Sequence, residues 1–215
     1  MRPLINTMSS PPKVFHYNDL MIELHPDVYD PTEDSFLLLD SIPIAPQDLV
    51  LELGTGCGLI ALECAHKGAQ VLCTDVNPFA VQLTRHNIDR NRHLLKGDVQ
   101  IRQGDLFNVL KKTELFNVII FNPPYLPTKK KEKVGGWFDI ATDGGRDGLK
   151  LTKRFLKGLH NHLLRRGAAY FIFSSLSKRS TLEQYLKNEQ LTASIVARHM
   201  SDDEELDVYR VSPTA

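Results

Sequence analysis

The apolar run Leu49-Val50-Leu51-Glu52-Leu53 opens directly onto Gly54-Thr55-Gly56-Cys57-Gly58, and a helical run, Leu59-Ile60-Ala61-Leu62-Glu63-Cys64-Ala65, follows without a break. A short, continuous apolar run of this kind reads as a strand covered on both faces. Glycines at its exit let the backbone turn tightly and pass close beneath a ligand. The same alternation recurs along the chain. Strands are predicted near 49–53, 70–74, 99–103, 116–121 and 168–174, and helices near 57–67, 78–90, 148–164 and 177–188, with Pro78 in the first turn of its helix. Strands alternating with helices imply an α/β, Rossmann-like fold, a mostly parallel sheet with helices on both faces. The end of the chain departs from this. Leu191 to His199 and Glu205 to Val211 are strand-like, and only the polar Met200-Ser201-Asp202-Asp203-Glu204 separates them. No helix fits there, so a hairpin adds an antiparallel strand.

In such a sheet a ligand sits at the carboxyl ends of the strands. Glu52, Asp75, Asp105 and Asn122 all fall at predicted strand ends. A dinucleotide-binding turn spaces its glycines G-x-G-x-x-G. Here they run G-x-G-x-G, with Glu52 two places before the first. A carboxylate beside the turn repels a phosphate and suits a cofactor with a positive centre and no phosphate, such as S-adenosylmethionine. Asp75 lies 23 positions after Glu52, at the tip of the second strand, where an acid accepts hydrogen bonds from ribose hydroxyls. Gly104-Asp105-Leu106-Phe107 follows the third strand. Asp105 is placed to accept from an adenine amine and Leu106 to cover the ring, although Gly-Asp after a strand is by itself a common turn.

Asn122-Pro123-Pro124-Tyr125 ends the strand Phe116–Phe121. Its prolines fix the backbone, and the residue before each is held extended. The Asn side chain and nearby carbonyls then converge on one planar NH2 group, while Tyr125 offers a face for a flat amide or base. A plain proline-rich strand exit with a capping Asn is the bland alternative.

Net charge is zero over 215 residues, which counts against a tight, nonspecific nucleic-acid binder. With 42% hydrophobic residues, one domain is the simplest reading. Cys57, Cys64 and Cys73 show no metal-ligand spacing and read as free, buried thiols of a reducing cytoplasm. No run is long enough to span a membrane, and no secretory pattern opens the chain. Residues 1–28 are poorly patterned and form an N-terminal extension, disordered in part; 29–215 form the folded domain. Thr32 or Asp30 caps a helix through Phe36-Leu37-Leu38-Leu39, and capping accounts for Glu33 and Asp34 as readily as function does. Leu126 to Gly148 has no periodicity and reads as a functional loop. Its Lys129-Lys130-Lys131-Glu132-Lys133 run is more simply a solvated surface, and Trp137 is either a core anchor or a lid.

Together, Glu52-Leu53-Gly54-Thr55-Gly56-Cys57-Gly58, Asp75-Val76-Asn77-Pro78, Gly104–Phe107, Asn122–Tyr125 and Gly144-Gly145-Arg146-Asp147-Gly148 resemble the class I S-adenosylmethionine-dependent methyltransferases of the HemK type. These are glutamine methyltransferases that act on translation release factors. The segment Val28-Tyr29-Asp30-Pro31-Thr32-Glu33-Asp34-Ser35-Phe36-Leu37-Leu38-Leu39 resembles the short archaeal and eukaryotic branch, as does Glu204-Glu205-Leu206-Asp207-Val208-Tyr209-Arg210. The resemblance covers roughly residues 28–211 and implies a seven-stranded sheet. It also implies that Glu52, Gly54 and Gly56 hold the methionine end of the cofactor, Asp75 the ribose, and Asp105 and Leu106 the adenine. Ser35 and Tyr29 close over it. Asn122 and the Pro123 carbonyl orient the substrate amide, walled by Pro124 and Tyr125. A small zinc-binding activator protein, known for this branch, is expected to dock on strand 99–103 at a sheet edge.

Three rival readings share these motifs. An adenine amino-methyltransferase grips a flipped base with the same Asn-Pro-Pro-Tyr, but needs a large basic target-recognition region that this chain lacks. A lysine methyltransferase and a non-enzymatic cofactor sensor complete the set, and the intact Asn-Pro-Pro-Tyr speaks against the sensor.

Overall fold

A computed structural model describes residues 12–127, 136–201 and 203–214, without the side chains of 138–140. Its centre is a seven-stranded sheet built from β3 (Leu49–Leu53), β4 (Gln70–Asp75), β5 (Val99–Gln103), β6 (Phe116–Phe121), β7 (Leu163–Ser174), β8 (Leu191–Met200) and β9 (Glu205–Pro213). Their spatial order is β5-β4-β3-β6-β7-β9-β8. Pairing is parallel from β5 through β7, and β9 runs antiparallel between β7 and β8. The strand order therefore reverses between β3 and β6, which opens a crevice at their carboxyl ends. β5 forms one edge, as expected.

Side chains alternate across the sheet and build two cores. Val50, Val118, Ile120, Tyr170 and Ile172 face one layer with α1 (Glu33–Asp40), α2 (Leu59–His66) and α3 (Pro78–Asn91). Leu51, Leu53, Ile119, Phe121, Phe171 and Phe173 face the other, against α5 (Lys150–Gly158) and α6 (Arg179–Asn188). All three cysteines are buried and free.

Three regions differ from the expectation. The predicted helix 148–164 ends as α5 at Gly158, continues as a 3-10 turn over Leu159–Asn161, and gives way to β7 at Leu163. β7 is thus longer than the predicted 168–174, because the Leu163 end pairs with Phe116 before a register shift. The segment before residue 28 forms a hairpin, β1 (Val14–Tyr17) with β2 (Leu20–Glu23), that buries Leu20 and Ile22 completely. Asn87 and Asn91, one turn apart on α3, hydrogen-bond the β2 backbone as a neighbouring strand would: both side chains accept from and donate to Glu23 and Met21 at 2.9–3.0 Å. Finally, a short helix, α4 (Trp137–Thr142), interrupts the loop from Leu126. The lysine run and residues 1–11 lie outside the described residues.

Candidate active site

A cavity of about 370 Å³ opens at the reversal point between β3 and β6. Every site residue predicted from sequence lines it: Glu52, Gly54, Gly56 and Asp75 from β3, its turn and β4; Asp105 and Leu106 after β5; Asn122, Pro123, Pro124 and Tyr125 after β6; Tyr29 and Ser35 from the segment around α1. Trp137, half-buried, also lines it.

The floor is the glycine turn. Gly54 and Gly56 have φ of +67° and +59°, the left-handed region that a side chain takes only under strain. The turn is sewn to the end of β4: Thr55 N–H donates to the Thr74 carbonyl at 3.0 Å, and Gly56 N–H to Asp75 Oδ2 at 2.9 Å. Asp75 Oδ1 accepts from Asn77 N–H at 2.8 Å. Each oxygen keeps further acceptor capacity. Burial raises the Asp75 pKa against these bonds. Glu52 is more extreme. It is only 3% exposed, and burial pushes its pKa up to about 8 although Thr55 Oγ1 donates to Oε2 at 2.6 Å. No cation among the described residues pairs with it, and a buried carboxyl of this kind is poised to receive one.

The wall is the Asn-Pro-Pro-Tyr turn, and its organiser is a residue that sequence reasoning left open between helix capping and function. Asp34 is 3% exposed in the first turn of α1. Its Oδ2 accepts from Asn122 Nδ2 at 3.0 Å and from the Tyr125 hydroxyl at 3.1 Å. Its Oδ1 accepts from Thr32 Oγ1 at 2.8 Å and from Ser35 N–H at 2.6 Å. Thr32 does stand at the helix N-cap, but its hydroxyl serves Asp34 and caps no backbone N–H. With Nδ2 committed to Asp34, Asn122 leaves Oδ1 buried with no partner among the described residues. That oxygen is an acceptor prepared for a donor from outside the chain. Burial first, and then the Asp34 charge, raise the Tyr125 pKa, which keeps its hydroxyl a donor. From behind, Ser177 Oγ donates to the Tyr125 carbonyl at 2.9 Å, and Gly148 packs so close that a methyl group there would strike both groups. Tyr29 closes the rim, its hydroxyl 3.1 Å from Thr32 Oγ1. Asp105 is bonded by Arg154 of α5 at 2.7 Å, a partner no sequence signal announced.

The sheet order, the antiparallel β9 and the glycine turn at the reversal point define a class I methyltransferase fold. Solved structures agree. The chain superposes on the E. cuniculi Mtq2–Trm112 complex, responsible for methylation of the eRF1 translation termination factor, with a TM-score of 0.67 at 22% identity, over 87% of this chain and 99% of that one. It superposes equally on the T. thermophilus 16S rRNA N2 G1207 methyltransferase RsmC, in complex with AdoMet and guanosine (TM-score 0.67, 20% identity, 94% of this chain and 50% of that one). The methyltransferase small domain family model matches residues 27–138. A putative protein N5-glutamine methyltransferase of Methanocaldococcus jannaschii, MJ0928, is 39% identical over 197 residues, 91% of this chain and 96% of the relative. Human methyltransferase HEMK2 is 30% identical over 193 residues, 86% and 89% of the two chains. The chain therefore belongs to the small-domain methyltransferases, in their short HemK-type branch, and its cofactor is S-adenosylmethionine. The residues present fit that group: a glycine floor without side chains, a buried carboxyl beside it, and a second acid at the neighbouring strand tip.

Proposed function

We propose that this protein methylates the side-chain amide nitrogen of a glutamine in a translation release factor, within a Gly-Gly-Gln segment. The observation that carries the reading is the unpartnered Asn122 Oδ1, aimed by Asp34. An amide nitrogen is a poor nucleophile because its lone pair is delocalised into the carbonyl. Asn122 Oδ1 and the Pro123 carbonyl accept from the two amide N–H bonds, fix the nitrogen and stabilise the positive charge that grows on it. Pro124 and Tyr125 hold the amide plane. The cofactor supplies a methyl group already activated on a sulfonium. Glu52, Gly54 and Gly56 take its methionine end, Asp75 its ribose, Asp105 and Leu106 its adenine, with Ser35 and Tyr29 closing over it. The named activities of the relatives point to the same chemistry. By analogy with the Mtq2–Trm112 pair, a small activator protein, zinc-binding in this branch, docks on the β5 edge. The setting is the cytoplasm, and no helix among the described residues is long and apolar enough to cross a membrane.

The test is methyl transfer from labelled cofactor to a purified release factor, beside duplex DNA, tRNA and a lysine-rich peptide. Mass spectrometry should place one methyl group on the glutamine. Asn122→Ala should lower kcat by at least about a hundredfold while cofactor affinity changes little, since the lost grip acts on the nucleophile. A methyl group on adenine or lysine, with the glutamine untouched, would overturn the substrate assignment.

A further inference from the structure

Asp105 and Leu106 form the outer wall of the cavity, and neither is held by its own turn. The Asp105 carboxylate makes no cap bond to the 3-10 turn that follows it. Leu106 sits at φ +49°, a conformation a side-chain-bearing residue keeps only where neighbours impose it. The neighbour here is α5. Arg154 Nη2 donates to Asp105 Oδ2 at 2.7 Å. Phe107 stacks on Phe155, next along α5 (centroids 6.1 Å, planes 10° apart), and on His162 (5.2 Å, 2°). Gly158 at the end of α5 makes room for that ring, which any side chain there would strike. Leu151, one turn before Arg154, lines the cavity itself. α5 is thus the mould against which the loop 104–107 is cast.

We propose that Arg154 is a positioning residue for the adenine of the cofactor. By occupying Oδ2 of Asp105 it fixes the carboxylate plane and leaves Oδ1 as the acceptor for the 6-amino group. This rests on Asp105 as the adenine acceptor, proposed above. Arg154 and Asp105 are each 46% exposed, so their pairing adds little to folding stability. Its effect lies in ordering an otherwise free side chain before the ligand arrives, which lowers the cost of binding.

Calorimetric titration with S-adenosylhomocysteine, and with its analogue whose purine lacks the 6-amino group, tests this on the wild type, Arg154→Ala, Arg154→Lys and Asp105→Ala. Arg154→Ala should weaken S-adenosylhomocysteine about three- to tenfold, Arg154→Lys less, and the deamino analogue should bind all four proteins alike. Adding Arg154→Ala to Asp105→Ala should cost nothing more. Equal losses for both ligands would reduce Arg154 to a fold support, and unchanged affinity for both would remove its role; either result overturns the proposal. If the wild type itself ignores the 6-amino group, Asp105 is not the adenine acceptor and both ideas fall, a pattern distinct from the first two.

Discussion

Asp34 decides which atom of Asn122 faces the cavity. An amide side chain has a donor end and an acceptor end, and nothing in Asn122 alone chooses between them. Asp34 Oδ2 accepts from Asn122 Nδ2, so the carbonyl end is turned to the cavity. The same oxygen accepts from the Tyr125 hydroxyl, which gives that ring a task besides stacking. In Asp34→Ala the Tyr125 hydroxyl loses its acceptor and Asn122 Nδ2 keeps only the longer 3.4 Å bond to Ser35 Oγ, so the amide is freer to turn. We expect kcat on the release factor to fall about 10- to 100-fold, the range for a misplaced reacting group, with a smaller loss of cofactor affinity through Ser35 and Thr32, which Asp34 Oδ1 also holds. Steady-state kinetics beside calorimetry separates the two. An unchanged kcat in a protein that melts like the wild type would show that Asp34 is only a structural anchor for α1.

Among the elements, β5 carries the partner expectation, and its register allows a clean test. Val71 N–H donates to the Asp98 carbonyl and Gly104 N–H to the Asp75 carbonyl, so residues 98 and 104 turn their backbone groups toward β4. Alternate residues of a strand share a side, so Val99, Ile101 and Gln103 turn theirs outward. Ile101→Pro then removes a donor from the free edge and leaves the β4 ladder intact. Co-purification with the activator should be lost while the thermal midpoint of the isolated chain shifts only modestly, by the packing that Ile101 gives up. A variant that still captures the activator in full would place the docking surface elsewhere. The edge is otherwise well braced: Arg102 holds Glu114 with two bonds of 2.7 and 2.8 Å, and that contact holds the Glu114 pKa down at about 2.

For the whole molecule, Glu52 ties stability to pH and to cofactor. Its pKa is about 8 in the folded, cofactor-free chain against the 4.5 of an ordinary glutamate. The folded state therefore binds this proton more tightly than the unfolded one. The stabilisation is fully present below about 4.5 and is lost as pH rises through about 8, where the ionised carboxylate is buried without a counter-charge. Glu52→Gln keeps the shape and has no proton to lose. Thermal midpoints of the two proteins should stay parallel below pH 5, diverge in favour of Glu52→Gln up to about pH 8, and run parallel again above it. With Glu52 at the cofactor's cationic end, as proposed, S-adenosylmethionine should narrow the gap by supplying the counter-charge. Parallel curves across the whole range would mean that Glu52 is not the titrating group.

The sequence by itself determined the alternation of strands and helices, the C-terminal hairpin, the strand ends and the residues gathered at them. Those features are local: hydrophobic period, glycine at turns and proline at a strand exit act within a few residues of where they are written. Only the tertiary structure decided the rest. The β1–β2 hairpin was illegible because its strands are four residues long and the neighbour that completes β2 is a pair of asparagines on α3, more than sixty positions away. The helix predicted to 164 stopped early because Leu163 pairs with Phe116, a choice made by the sheet. Asp34 and Arg154 act on residues 88 and 49 positions away. In sequence each carries the signature of an ordinary helix residue, an acid in a first turn and a cation on an exposed face, and their second task exists only once β6 and β5 have been laid beside their helices.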